Sequence, residues 1–475
     1  MEQWSSDAGF LVATVGATVG PATLWTFPFV VGRNGGGAYL LPYLLAAVSV
    51  AVPLVLLELS VGRALHADVV SAFGSIRPEF ETLGWFLTGV VLLVAGYSLV
   101  LTGWSFAFFV ATVAGRDLSF GWFAGTYWPV ASFLLVTAAV GGVVALGVER
   151  GIERVATVVV PVAILALLGL AAYAATLPGF HSGLSFFLSP DLAALRDPFV
   201  WSTAVGHALF SLAAGRGVLL TYGRYLDESV DVVSASLLVT VASVGVGVLS
   251  GLVVFPAVFS AGLAPIAGSQ LAFSTLPRSF EALPYSDAAS AAFFGALCLT
   301  GVSSSVVLLE VGVSAVLSAG EWSRQTAALG VTALVFLFGL VPALSYSAAN
   351  ARAFDRPVLD LLDTTVGTYG LPVTAMLLSV AFTWFRGSLS VRAQIPVPSF
   401  RLLLKYVVPG VLAAATGAHL WYDTPSPGWH LLPNARRFGS DPRFVGVALA
   451  LAALTLLGGV LIAYRARRRA VRRYP

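Results

Sequence analysis

Apolar runs of about 20 residues recur along the whole chain, and this repetition restricts the fold more than any single motif does. A helix of that length crosses roughly 30 Å, the thickness of the hydrocarbon core of a bilayer. In hydrocarbon every peptide N–H and C=O has to be paired within the protein, and runs of this kind satisfy that demand as helices. Composition agrees: of 475 residues, 58% are hydrophobic and 10% charged, against roughly 25% charged in a soluble domain. Mean hydropathy is +0.89. The expectation is an all-α polytopic membrane protein forming a single transmembrane domain over 1–475. About twelve helices are expected, near 8–33, 36–62, 83–113, 127–147, 153–174, 199–226, 232–261, 287–316, 323–347, 358–386, 401–422 and 443–465.

Several function classes fall away at once. Cys298 is the single cysteine, so a disulfide framework or a cysteine-rich metal site is excluded. The five histidines show no helical ligand pair, which argues against catalytic zinc. No nucleophile, base or metal constellation recommends an enzyme. Residues 1–7 are polar and lack the basic start and small-residue cleavage site of a secretory signal, so the first helix is expected to be retained. The net charge of +3 gathers in a tail with Arg465, Arg467, Arg468, Arg469, Arg472 and Arg473, which fits a cytoplasmic flank and no nucleic-acid partner. Arg63 and Arg77 follow the second helix, Arg150 and Arg154 the fourth, Arg324 the eighth, and Arg386, Arg392 and Arg401 the tenth. This asymmetry predicts a multi-pass protein of the cell membrane with both termini in the cytoplasm, although Arg352, Arg356, Arg436 and Arg437 on the other side weaken the bias.

Two spans carry helix breakers at mid-membrane depth. The first has Gly16, Gly20 and Pro21, where a proline removes a donor and glycine lowers the cost of unwinding. Five helices later, residues 210–217 again bring glycines, now with a charge, Arg216. Small residues also serve close helix packing, which is the plainer explanation for either segment alone. Interrupted spans in corresponding positions of two halves point instead to a transporter site, where freed carbonyls hold a cation and freed amides an anionic group.

The run from Trp4 to Arg63 contains Phe27-Pro28, Asn34-Gly35-Gly36-Gly37-Ala38, Pro42-Tyr43, Glu58 and Gly62-Arg63. In order and spacing it resembles the opening of the neurotransmitter:sodium symporter family, which includes bacterial amino-acid transporters. Similar matches continue at 151–154, 189–191, 197–198, Thr221-Tyr222, Tyr225 and 300–305. The resemblance implies the LeuT fold: two inverted five-helix repeats, here 8–174 and 199–386, with two appended helices in 401–465. It implies alternating-access symport of sodium with an amino acid or related small solute, the oligomeric state being open; the residues of the pocket, Arg216 above all, point to an anionic one. A proton-coupled or uncoupled transporter, or a non-transporting solute sensor, is the alternative.

Carried onto this chain, the resemblance implies a second sodium site from the carbonyls of Gly16, Val19 and Thr300 and the hydroxyls of Ser303 and Ser304. A first sodium site would use the Thr18 carbonyl with Thr23, Ser211 and Ser243, but hydroxyls replace the family's asparagines at Thr23 and Ser243. The position that answers the chloride charge falls at Gly247, so no chloride is expected. Substrate contacts fall on Pro21, Ala22, Tyr97, Ser98, Phe210, Ser211, Ala213, Arg216, Ser304 and Leu308. Arg216 stands where the family has an apolar side chain. It binds a substrate anion, pairs with Asp363, or does the work of a sodium ion; the three readings stay open. The family's outer gate pairs an arginine, here Thr26, with Asp363. Its cytoplasmic gate positions hold Met1 and Ser318, leaving Trp4 as a plug. Glu58 and Glu310 are in-membrane acids expected to tie helices, and His207 is either a satisfied polar residue or a proton-coupling one.

Overall fold

The computed structural model describes residues 2–263, 273, 276–281, 284–385 and 398–422. The expected twelfth helix, the arginine-rich tail, Arg386 and Arg392 lie outside the described residues. Among the described residues, nine helices are long and apolar enough to cross a bilayer, and one bent pair forms a further span. They are, in chain order, α1 (Asp7–Thr18) and α2 (Pro21–Arg33), the bent pair, then α3 (Gly37–Leu65), α4 (Pro78–Val113), α5 (Trp128–Ala145) and α6 (Val148–Ala174). The interrupted segment α7 (Pro198–Ser211) and α8 (Val218–Gly223) follows. After it come α9 (Val232–Ser260), α10 (Ser286–Ala319), α11 (Arg324–Ser345), α12 (Val358–Trp384) and α13 (Phe400–Ala418). A short antiparallel hairpin pairs Arg352–Ala353 with Arg356–Pro357.

Local chemistry sets both breaks. Ser6 caps α1 by accepting from the Gly9 amide, and α1 ends at Thr18. Gly20 is extended and Pro21 opens α2, a position where the missing amide hydrogen costs nothing and the fixed φ already suits a helix. The two halves meet at 48°. In the sixth expected span, Asp197 caps α7 through the Phe199 amide, and the helix then stops at Ser211. Ala213, Gly215 and Gly217 all have positive φ, at 48°, 79° and 71°. An α-helix cannot pass through that backbone region. Space as well as φ demands glycine at 215, because a Cβ there would sit 2.1 Å from the Ala375 Cβ.

Burial separates scaffold from periphery. The most apolar windows of α4 and α10 are 78% buried and the two helices pack along one another, whereas the corresponding windows of α6 and α13 are only 28% and 17% buried. Exposed Leu134, Leu135, Val158, Leu165, Val241, Leu329 and Leu337 turn apolar side chains outward. Such a surface is stable against lipid and not against water. The two broken spans lie inside this frame, against α3, α6, α9 and α10.

Candidate functional site at two helix breaks

The breaks in α1–α2 and α7–α8 open onto one small central cavity of about 50 Å³. Its lining includes Thr18, Pro21, Ala22, Thr23, Tyr97, Ser98, Phe210, Ala213, Arg216, Ser304 and Leu308. All the expected substrate contacts are thus gathered there except Ser211. That serine bonds the Tyr43 hydroxyl at 3.0 Å and the Ala208 carbonyl, away from the lining. Tyr43 belongs to a motif visible in the sequence, but nothing there showed that it reaches the broken span.

Arg216 is buried, 5% exposed. Its Nη2 donates to the Phe210 carbonyl at 2.9 Å, and the guanidinium lies 4.3 Å from the centre of the Phe210 ring. Nε has no partner. The structure therefore does not join Arg216 to Asp363. Asp363 lines a second, separate cavity of about 80 Å³ with Thr26 and His207, and Phe210 borders both cavities. Tyr97 stands within electrostatic reach of both charges.

Of the residues expected at the second sodium site, the structure brings Gly16 against Ser303, with Ser304 beside Gly20. A Cβ on Gly16 would lie 2.2 Å from Ser303 Oγ, and one on Gly20 would lie 3.3 Å from Ser304 Oγ. Glycines at and just before the first break thus pack against hydroxyls of α10, and neutral oxygens of this kind are the donors a monovalent cation takes. Thr300 sits one turn earlier, its own hydroxyl turned back to the Ala296 carbonyl. At the first expected site Thr18 Oγ1 lies 2.5 Å from Ser243 Oγ, so one of these hydroxyls donates to the other, and the accepting one donates to a carbonyl of its own helix. Thr23 faces the central cavity.

The in-membrane acids hold helices together. Glu58 of α3 accepts from the amides of Gly215, Leu219 and Leu220 at 2.5, 3.1 and 3.3 Å. A carboxylate at the start of α8 takes up N–H groups that the break leaves unpaired. Glu310 accepts from Tyr225 at 2.6 Å and pairs with Arg324 at 2.6 Å. Trp4 donates to the Tyr222 carbonyl at 3.2 Å and packs edge-on against the Tyr222 ring. Further ties of the chain start were missed by sequence reasoning: Ser5 bonds Glu153 through its amide and hydroxyl, and Glu2 pairs with Arg324 at 2.5 Å. Glu153 fell in a matched motif, which was the available signal. At the gate position Ser318 accepts from Arg224 at 3.1 Å.

A model of the sodium:neurotransmitter symporter family matches residues 1–122 and 117–416. The chain belongs to that family. An uncharacterized sodium-dependent transporter of Bacillus subtilis is 31% identical over 80% of this chain and 86% of its own length. One of Methanocaldococcus jannaschii is 30% identical over 83% and 84%. The sodium- and chloride-dependent GABA transporter 2 of Homo sapiens is 26% identical over 71% and 66%. Among solved structures, MhsT in complex with L-phenylalanine superposes with a TM-score of 0.79, at 30% identity, covering 87% of this chain and 99% of its own. This symporter therefore has the LeuT fold, lies in a membrane, couples a small-molecule substrate to sodium, and is not an enzyme.

Proposed function

We propose that this symporter carries a small anionic solute of the amino-acid class by alternating access, with sodium held at Gly16, Val19, Thr300, Ser303 and Ser304. The observation that carries the substrate reading is Arg216. Among the residues lining the central cavity there is a guanidinium and no carboxylate. The guanidinium is buried with an unpartnered N–H, and a buried donor of that kind calls for an acceptor. A carboxylate or sulfonate supplies one with charge assistance. One related protein is named for GABA, and another is solved in complex with L-phenylalanine; both of these molecules bear a carboxylate.

Sodium joins backbone of the first break to hydroxyls of α10, so its binding favours the arrangement in which these two elements touch. Coupling follows because the ion binds one state better than the other. The other end of the bundle is held shut by Trp4 on Tyr222, Glu2 on Arg324 and Ser5 on Glu153. That end is read as cytoplasmic, with both termini inside and the cell membrane as the location. The repeats at 8–174 and 199–386, with the appended 401–465, are supported by one interrupted span at the head of each half. No nucleic acid takes part. No chloride is required: Gly247 faces the Phe27 ring, 3.5 Å from where its Cβ would stand. The mutual bonding of Thr18 and Ser243 supports one sodium ion per cycle.

Uptake into proteoliposomes tests this directly. Carboxylate or sulfonate solutes found by thermal shift in sodium against choline should accumulate under an inward sodium gradient, equally in chloride and gluconate. Accumulation without a sodium gradient, or a strict preference for solutes without an acid group, refutes it.

A further inference from the structure

On the outside of the bundle, α4 and α5 part and leave a groove. Their crossing is at Gly103, where a Cβ would stand 2.7 Å from the Phe133 amide nitrogen, so the two backbones touch there. Beyond the crossing, towards the end of α4 and the start of α5, they enclose about 770 Å³, far more than either inner cavity. Ala107, Val110 and Ala114 form one wall, and Trp128, Ala131 and Leu135 the other. Val110, Trp128 and Leu135 are 46%, 59% and 56% exposed, so the groove opens outward. Each wall rises about 10 Å along its helix, roughly two-thirds of the hydrocarbon depth of one leaflet.

The mouth of the groove is charged and aromatic. Arg116, Asp117 and Ser119 follow α4 and line the same space, with Trp122 beside them. Among the described residues, neither the Arg116 guanidinium nor the Asp117 carboxylate takes part in a hydrogen bond or an ion pair, and the two do not pair with each other. Trp122, Tyr127 and Trp128 are all exposed. Exposed indoles and phenols at helix ends belong at headgroup depth. This is the end of the bundle away from the chain start, because Arg324, the partner of Glu2, also donates to the Val144 carbonyl at the far end of α5.

We propose that this groove binds one phosphatidylethanolamine molecule, with its phosphate on Arg116, its ammonium on Asp117 and one acyl chain between α4 and α5. Charge complementarity selects the headgroup. Two neighbouring residues carry one charge of each sign, and phosphatidylethanolamine carries the opposite pair. A guanidinium offers a phosphate two parallel N–H donors, and a primary ammonium brings three donors to a carboxylate. Phosphatidylglycerol has no positive charge for Asp117, and phosphatidylcholine has the charge without an N–H. Lipid tails are as apolar as the groove, so the chain contributes fit while the headgroup contributes the preference.

Native mass spectrometry of the full-length protein, stripped of lipid in detergent and titrated with lipids of identical acyl chains, tests this. One phosphatidylethanolamine per protomer should be held about tenfold more tightly than phosphatidylglycerol or phosphatidylcholine. Arg116→Gln should weaken its retention by about tenfold. Asp117→Asn should weaken it by about threefold and raise phosphatidylglycerol to the same level. Both side chains are exposed, so neither change disturbs packing. Ala131→Trp, at another exposed position, keeps both charges but fills the groove, and should abolish retention. Glycerophosphoethanolamine, the headgroup without chains, should not compete at equal concentration. Equal retention of the three lipids, equal competition by the free headgroup, or retention unchanged in all three variants overturns the proposal. So does the absence of any retained lipid, the result expected where another stretch of the chain covers the groove, or a dimer that Ala131→Trp splits, which assigns the groove to a second copy. Because nothing is transported, this result is independent of the symport reading.

Discussion

The two broken spans solve the same problem in opposite ways. The first gives way over Val19 and Gly20 only, and its freed backbone is pressed against serine hydroxyls of a neighbouring helix. The second is unwound over Leu212–Gly217, is pinned by the carboxylate of Glu58, and carries its own cation, Arg216. One break therefore sets backbone beside neutral hydroxyls, the arrangement that the proposed sodium seat requires. The other is a rigid, charged wall that belongs to the protein. A short break needs a partner with neutral oxygens, whereas a long one leaves several amides that only an acceptor with two oxygens can satisfy together.

That contrast can be broken most sharply at Glu58. Glu58→Ala leaves three amides of the second break unpaired, at roughly 1–3 kcal/mol for each, and a fall in melting temperature larger than for any substitution at the first break is expected in a detergent thermal-shift assay. A melting temperature close to that of the parent would show that the long break does not depend on its anchor. Next in size is Arg216→Leu, which removes the fixed cation. Stabilisation by acidic solutes should disappear while stabilisation by sodium persists, and the two titrations read in parallel measure how separate the breaks are.

A smaller loss is expected from Ser303→Ala, which removes one hydroxyl from the ion seat. The sodium concentration for half-maximal uptake should rise by about tenfold, the equivalent of one charge-assisted bond. The smallest effect is predicted for Thr18→Val. Its hydroxyl bonds Ser243 instead of facing the cavity alone, so sodium dependence should shift by about threefold or less. A larger shift would mean that this pair opens to hold a second ion.

Much of this contrast was legible before any coordinates. Pro21 beside Gly20, and the glycines flanking Arg216, announce interruptions through chemistry that acts within a few residues, and the family motifs located Ser303, Ser304 and Glu58. Partnerships across the fold were not legible. Glu58 is 157 residues from Gly215, and Thr18 is 225 from Ser243. Asp363 and Arg216 looked like candidates for one ion pair, yet the ring of Phe210 sits between their cavities.

The sequence by itself determined the solvent, the element and the weak points, because hydropathy, helix length and the backbone limits of proline and glycine are properties of short stretches of chain. Only the tertiary structure decided which oxygen faces which amide, that the Thr18 and Ser243 hydroxyls bond each other, and that Arg216 and Asp363 line different cavities. Those outcomes depend on distances of a few ångströms between segments far apart in the chain, and they are fixed only when the helices pack.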